Sequence, residues 1–501
     1  MKKALALVLA VAMSLSLVAC GGAASSTPAS QPASQPADST PAAPAPTSIR
    51  VVTTYAGTDS NAQNYKDAVA AWEKATGNTV EDATATSNEE FKAQVLADFE
   101  TGSEPDVLFF FNGADSNSFI EGTPKVVSID EIRSVYPDYA SNMKDDMLGA
   151  SPVDGKNYSV PVNGFWEGLF VNKDVLEACG VAVPDANTTW DQFMEMCETI
   201  KGKGYTPIAA SLGEIPHYWF EFCIYNFLTP ATHNVLPTKD AGNVQHQAWI
   251  DGIGDIKALY EAGYLPKNTT SAKDDEMFAL FTGGKAAFWL DGSWKVNGVA
   301  AACGADADNN IPADEEQLSH FTVTYVPGKN NRKTTDIIAG LSSGYFITQK
   351  AWADPDKQAA AVSFVQFMTS DEQVAKFCEA SGNLTTALKA GVQVDDSKLN
   401  SLQKAGLEMS NGATGTAGAV QDQFQGETRN PVFVPGMANI VTRKADIAAS
   451  VDEVIDLIAA AQGYVPGSYK NLRHEKPESA SKSLSGFLKE SVGNNEFFHG
   501  L

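Results

Sequence analysis

The chain has 501 residues, 43% of them hydrophobic, and a formal net charge of −25. That length gives two or three domains with ample cores. The excess of acids disfavours nucleic acid and anionic surfaces as partners.

The chain opens like an export signal. Lys2 and Lys3 are basic, and residues 4–17 are almost wholly apolar, too short a run for a stable membrane span. The run ends Leu17-Val18-Ala19-Cys20-Gly21, a lipobox-like pattern. Small residues suit a signal-peptidase cleft, and the Cys20 thiol can take a diacylglycerol. The expectation is a signal peptide over 1–19 and a lipidated Cys20, two or more acyl chains (palmitate among them) giving stable anchorage on the extracytoplasmic face of the cell membrane. Removing 1–19 takes two lysines and no acid, moving the net charge from −25 to −27. Residues 20–48 read as a disordered tether, because 21–48 hold eight Ala, six Ser and six Pro and almost nothing to bury. No later segment approaches twenty apolar residues, so the body reads as soluble.

Residues 49–55 are β-branched and predict a strand. Tyr65, Ala68, Val69 and Trp72 then recur at helical spacing up to Gly77. Ser87 and Glu90 read as a capping box opening a second helix with Phe91, Val95 and Phe99 on one face. After the Pro105-Asp106 entry, the chain to Phe111 is an unbroken apolar run suited to a strand buried on both faces. Strand–helix–helix–strand order predicts an α/β lobe with a parallel sheet. The pattern resumes after 160. Residues 165–171 predict a strand, Thr189 and Gln192 cap a helix with Phe193, Met194, Cys197 and Ile200 on one stripe, and 205–210 and 285–290 predict further strands. Asp354-Pro355 is an N-cap with proline at the first helical position. After Cys20, five cysteines remain with no CxxC pair and read as buried thiols.

Several segments, in order, resemble the carbohydrate-type extracellular solute-binding proteins of ABC importers, the maltose-binding-protein-like family. They are Trp72-Glu73-Lys74 to Thr76-Gly77, Gly102-Ser103-Glu104-Pro105-Asp106-Val107, Val160-Pro161, Asn172-Lys173-Asp174 and Thr189-Trp190-Asp191. Phe281-Thr282-Gly283-Gly284-Lys285-Ala286-Ala287 leading into Asp291-Gly292-Ser293-Trp294, then residues 340–347, the proline-led helix and Gly382-Asn383 complete the set. The resemblance implies a two-lobed α/β periplasmic-binding-protein-like fold with the ligand cleft between lobes joined by crossings near 163, 325 and 384. Lobe 1 would hold 49–163 plus 326–383, and lobe 2 would hold 164–325 plus 384–462. Residues 463–501 match nothing in the family and form an extension. The implied role is monomeric capture of a sugar or oligosaccharide by lobe closure and delivery to the permease subunits of an ABC importer, with no cofactor, metal or catalysis.

A sugar presents hydroxyls at its rim and C–H faces above and below, so a site needs aromatic rings with carboxylates and amides. The resemblance puts Trp294, Asp59 and Glu90 at contact positions, and Asp291, closing the strand before Trp294, is expected to bind hydroxyls. Tyr55 ends the first strand beside Asp59, and Asn112 follows the buried strand at its carboxyl end, where α/β ligands collect. Asn163, Phe165 and Trp166 lie on the first crossing. The His217-Tyr218-Trp219 stretch offers Tyr218 or Trp219 for stacking, Asn383 belongs to the last motif, and Trp289 in mid-strand reads as core.

Three rival readings stand beside this one. Gly340-Leu341-Ser342-Ser343-Gly344 fits the G-x-S-x-G elbow of a secreted hydrolase, but strand-forming residues follow where a helix is needed. Small residues there suit a cleft wall. The stretch from Asp306 opens like a calcium loop but has Ile311 in place of the turn glycine and Gln317 in place of the final glutamate. The same fold could hold a polyamine, a phosphodiester or a metal complex; aromatic density near the motifs favours sugar.

Overall fold

The computed structural model describes residues 46–149, 151, 153–306, 311–423, 436–442 and 446–461. The signal, Cys20, most of the tether, residues 307–310 of the calcium-like loop, residue 462 and the extension 463–501 lie outside them.

Two sheets organise the body. The first has five strands in the order β2-β1-β3-β10-β4, where β1 is Ser48–Val52, β2 Thr79–Asp82, β3 Val107–Phe111, β4 Ser159–Val160 and β10 Ser343–Ile347. The second runs β11-β9-β5-β7-β6, with β8 also on β5. Here β5 is Phe165–Asn172, β6 Thr206–Ala209, β7 Ala286–Gly292, β8 Phe321–Thr324, β9 Asp336–Gly340 and β11 Gly415–Ala417.

Period-two alternation makes each strand serve two cores. In β3, Val107 and Phe109 enter one core while Leu108 and Phe110 enter another. In β5, Leu169 and Val171 face one core and Trp166 and Phe170 the opposite one. Each sheet is thus covered on both faces. Helix Ala62–Thr76 lays Tyr65, Ala68 and Trp72 on the first sheet, stops at Gly77 with φ 76°, and ties Trp72 Nε1 to Ser363 Oγ at 3.1 Å. Helix Trp190–Gly202 carries the Thr189–Gln192 capping box, and Asp354 caps the proline-led helix Pro355–Met368. The five described cysteines are free and buried.

The sheets are mixed, not parallel. Strands β1, β2 and β3 run parallel, but β10 is antiparallel to β3 and β4. It reaches the first sheet directly from β9 of the second, so it enters at the edge where β3 leaves and must run the other way. The chain therefore passes between sheets at Leu341-Ser342, not near 325, because β9 pairs with β5 at Phe165↔Gly340. The last crossing falls after 388 and not at 384: Ala387 and Leu388 still pack in the first lobe, and Leu402 packs in the second. Two local readings also change. A short β2 separates the first two helices. The second helix is capped by Asn88, whose side chain accepts from Phe91 N at 2.8 Å, so Ser87 stands outside it.

The first two crossings pack tightly against each other and against Thr385 of the first lobe. Gly164 N donates to Thr385 O at 2.7 Å, and a Cβ on Gly164 would lie 2.5 Å from Gly340 O and 2.8 Å from Thr385 Cβ. Only glycine fits there.

Candidate ligand cleft

A cavity of about 240 Å³ lies between the lobes. From the first lobe it takes the loop after β1 (Tyr55, Thr58, Asp59), Thr86 to Asn88, Lys92, and the end of β3 at Phe111. From the second it takes the start of β5, the turn after β7, the loop before helix His217–Tyr225, and Gln421 with Asp422. Ser342 and Ser343, on the second crossing, close one side. Since β10 continues from Ser343 as strand, the nucleophile-elbow geometry is absent here.

The second lobe contributes an aromatic wall. Trp294 lies 5.9 Å from Phe165 and 5.8 Å from Tyr218, centroid to centroid, with all three lining the cavity. The Trp294 indole is laid against Gly292, where any Cβ would collide with it. Glycine at the end of β7 is thus what lets the ring turn back toward the cleft.

The polar lining is strongly acidic. Among the described residues, Asp59, Glu167, Glu214, Asp274, Asp275 and Asp422 face two lysines, Lys92 and Lys295. Lys295 is held by Asp274 at 2.8 Å, and its ammonium is pushed above the ordinary lysine range by Asp291 and Asp274, against the opposing effect of burial. Burial raises the Asp59 carboxyl to about 7, opposed by the Asn61 N–H and by Lys295. Asp59 borders the cavity while protein encloses its other sides. Glu167 is 1% exposed, and its Oε2 has no partner. Burial first, then Glu221, Asp291 and Asp422, push its carboxyl well above the usual range.

The lobes touch on either side of the cavity. Ser60 N donates to Trp294 O at 2.7 Å, Ser60 Oγ donates to Ser293 O at 3.0 Å, and Asn297 Nδ2 donates to Ser60 O at 2.7 Å. Across the cavity, a Cβ on Gly113 would meet Asp422 O at 2.7 Å. Glu221 fixes that second contact from behind. Its carboxylate accepts from Val420 N and Gln421 N at 3.0 and 2.9 Å and lies 2.7 Å from His233 Nε2.

Of the residues singled out in the sequence, Tyr55, Asp59, Asn163, Phe165, Tyr218 and Trp294 line this cavity. The others do not. Glu90 is exposed on the far side of its helix, while Ser87, displaced from the cap, lines the rim. Asn112 turns toward the first sheet and accepts from Ser159 Oγ at 2.6 Å. Trp166 faces the opposite side of β5 from Phe165 and is fully buried, Nε1 donating to Gly382 O at 3.1 Å. Trp219 follows Tyr218 around the helix into the core, stacked on Phe193. Asp291 lies fully buried behind the cavity, Oδ1 accepting from Gly292 N at 2.7 Å. Asn383 is buried, its Oδ1 accepting from Thr385 N at 2.8 Å. Trp289 is core, as its mid-strand position implies. Glu167, Lys295, Asp274 and Gln421 were not foreseen; the one signal was a charge, Glu167, inside an otherwise apolar strand. Among the described residues no group of acids, histidines and cysteines could hold a metal, and no helix is long and apolar enough to cross a membrane.

Residues 56–375 match the family model described as bacterial extracellular solute-binding protein. The multiple sugar-binding protein of Streptococcus mutans is 24% identical over 275 residues, 53% of this chain and 60% of that one. The melibiose/raffinose/stachyose-binding protein MelE of Bacillus subtilis is 23% identical over 241 residues, 45% of this chain and 50% of that one. The chain thus spans between half and 60% of the length of the curated relatives it matches. A solved structure of a chitin oligosaccharide binding protein superposes with a TM-score of 0.67 at 20% identity, over 82% of this chain and 99% of the other, which shows the shared two-lobed α/β fold.

Proposed function

We propose that this chain, which belongs to the bacterial extracellular solute-binding protein family, captures a sugar between its lobes for delivery to the permease of an ABC importer. The observation that carries this is the aromatic wall of Phe165, Trp294 and Tyr218, in a cavity whose polar lining is rich in carboxylates, amides and hydroxyls. Rings cover the C–H faces of a pyranose, and the carboxylates and amides accept and donate around its rim. The names of the sequence relatives, both sugar-binding proteins, support the same reading.

The cavity, about 240 Å³, is of the size that takes a small solute. No chemistry on it is required, and the protein acts as a binder, not an enzyme. A Cys20 diacylglycerol would hold the body at the extracytoplasmic face of the membrane by its tether, as a monomer.

Differential scanning fluorimetry against mono- and disaccharides tests this, since a ligand that binds only the folded state raises Tm. A matching sugar should also lower the radius of gyration in small-angle scattering and be recovered unaltered by chromatography. No shift with any sugar, or a cleaved sugar in the eluate, would refute the proposal.

A further inference from the structure

We infer, resting on the sugar reading above, that the captured solute is an amino sugar, its protonated amine held against the Glu167 carboxylate and its ring against the Trp294 wall. The placement begins with strand periodicity. Phe165 and Glu167 are two apart on β5 and so share a face, the one that lines the cavity, while Trp166 between them faces the opposite core. The carboxyl therefore stands directly beside the aromatic wall, and β5 pairs Glu167 with Gly292, the residue on which the Trp294 indole rests.

A neutral hydroxyl is a poor match for this carboxyl. The side chain is buried with Oε2 unpartnered. The groups that act on it from each packed element are acids: Glu221 on helix His217–Tyr225, Asp291 on β7 and Asp422 on the 420–423 segment. The two lysines of the lining are placed elsewhere. Lys295 pairs with Asp274, and Lys92 lies 4.6 Å from the centre of the Phe111 ring. A carboxylate removed from water among like charges is stable only with a cation at hand or a proton on it. In the empty cleft the proton serves. A hydroxyl can bond to the protonated acid but brings no charge, whereas an ammonium at the Glu167 carboxylate offsets the acidic surroundings and lies within reach of aromatic faces that attract cations. The acidic cleft and the aromatic wall are then one recognition device.

The arrangement ties binding to a proton. Glu167 carries it when the cleft is empty and loses it when an ammonium arrives, so binding releases up to one proton to solvent. Titration calorimetry at pH 6.5 in two buffers of different ionisation enthalpy measures this directly. The probes are matched pairs: glucose with glucosamine, galactose with galactosamine, cellobiose with the β-1,4 glucosamine dimer, each also N-acetylated, and spermidine as a cation without a sugar ring. The amino member of at least one pair should bind tenfold or more tighter than both its neutral and its N-acetylated counterparts, with proton release. In Glu167→Gln both the preference and the release should disappear while the unliganded Tm holds or rises; should that variant not fold, the proton count in the wild type still decides. Neutral or acetylated sugars binding as tightly as amino sugars, without proton release, would overturn this inference and leave the sugar reading standing. Binding of spermidine in place of every sugar, or of none of the probes, would overturn both.

Discussion

Replacing Trp294 by alanine separates a cleft wall from a core. The indole is half-buried, packs beside Phe165 and Tyr218, and belongs to none of the four apolar cores. One face therefore remains for a ligand. Covering roughly 40–60 Å² of it at about 25 cal/mol/Å² contributes about 1–1.5 kcal/mol. Ring geometry of the kind measured between aromatic pairs adds about 0.5–1.5 kcal/mol. The sum, about 1.5–3 kcal/mol, corresponds to a ten- to 150-fold rise in Kd. Calorimetry with the sugar picked out by the melting panel measures it, alongside the Tm of unliganded Trp294→Ala, which should stay within a few degrees of wild type. An unchanged Kd would show that the ligand lies elsewhere, and a large fall in unliganded Tm would show that the ring is structural.

Other perturbations follow from the same geometry. The Asp59 carboxyl, raised by burial from 3.8 to about 7, makes the folded protein bind more protons than the unfolded chain in that window. Its contribution is present below pH 4 and is lost as pH rises toward 7, so the unliganded Tm should fall across that range and Asp59→Asn should flatten the fall; an unchanged slope refutes it. Gly164→Ala drives a methyl against Gly340 O and Thr385; overpacking of about 1–3 kcal/mol should lower the unliganded Tm by about 2–10 °C, and a wild-type Tm would show that the crossings are loosely packed. Cys20→Ser should prevent incorporation of labelled palmitate and leave the protein in the soluble fraction; continued labelling would remove the anchor from the proposal.

The sequence told elements more readily than faces. Apolar runs in β3 and β5 and the capped helices at Thr189 and Asp354 were legible because burial on both sides of a sheet and helix caps leave local signatures. Which neighbour in a strand or helix turns to the cleft depends on where the second lobe lies, and that is not local. Phe165 lines the cavity while Trp166 is core; Tyr218 lines it while Trp219 is core. Asp291 ends its strand as the motif implies, yet the sheet continues through Gly292 and keeps it buried. The shift of the helix cap from Ser87 to Asn88 is one residue, and it exchanges Glu90 for Ser87 at the rim. Gln421 and Asp422 reach the cleft from far along the chain because Glu221 captures the backbone N–H groups of Val420 and Gln421, a pairing across 200 residues at Gln421 that no motif announces. Glu167 was visible as a charge in an apolar strand, but its meaning needed the acids around it.

Those acids also bear on how the cleft would work. A ligand shifts the balance between open and closed lobes only by what it contacts in the closed form alone. Asp59 comes from the first lobe, and Glu167, Asp274 and Asp422 come from the second. Closure therefore brings like charges together around a space shielded from water, and in the empty protein this opposes closing unless some of the carboxyls hold protons. A ligand with a positive charge reverses that term, because the same carboxylates that resist the empty closed state then attract its contents. The latch is set in the same place. Trp294 presents its ring to the cavity while its carbonyl accepts from Ser60 of the other lobe at 2.7 Å, and Lys295, the next residue, reaches Thr58 Oγ1 at 3.4 Å and Asp274 at 2.8 Å. The side chain that a sugar would cover and the backbone that joins the lobes belong to one turn after β7, so a ligand that settles the ring also settles the contact that holds the lobes together.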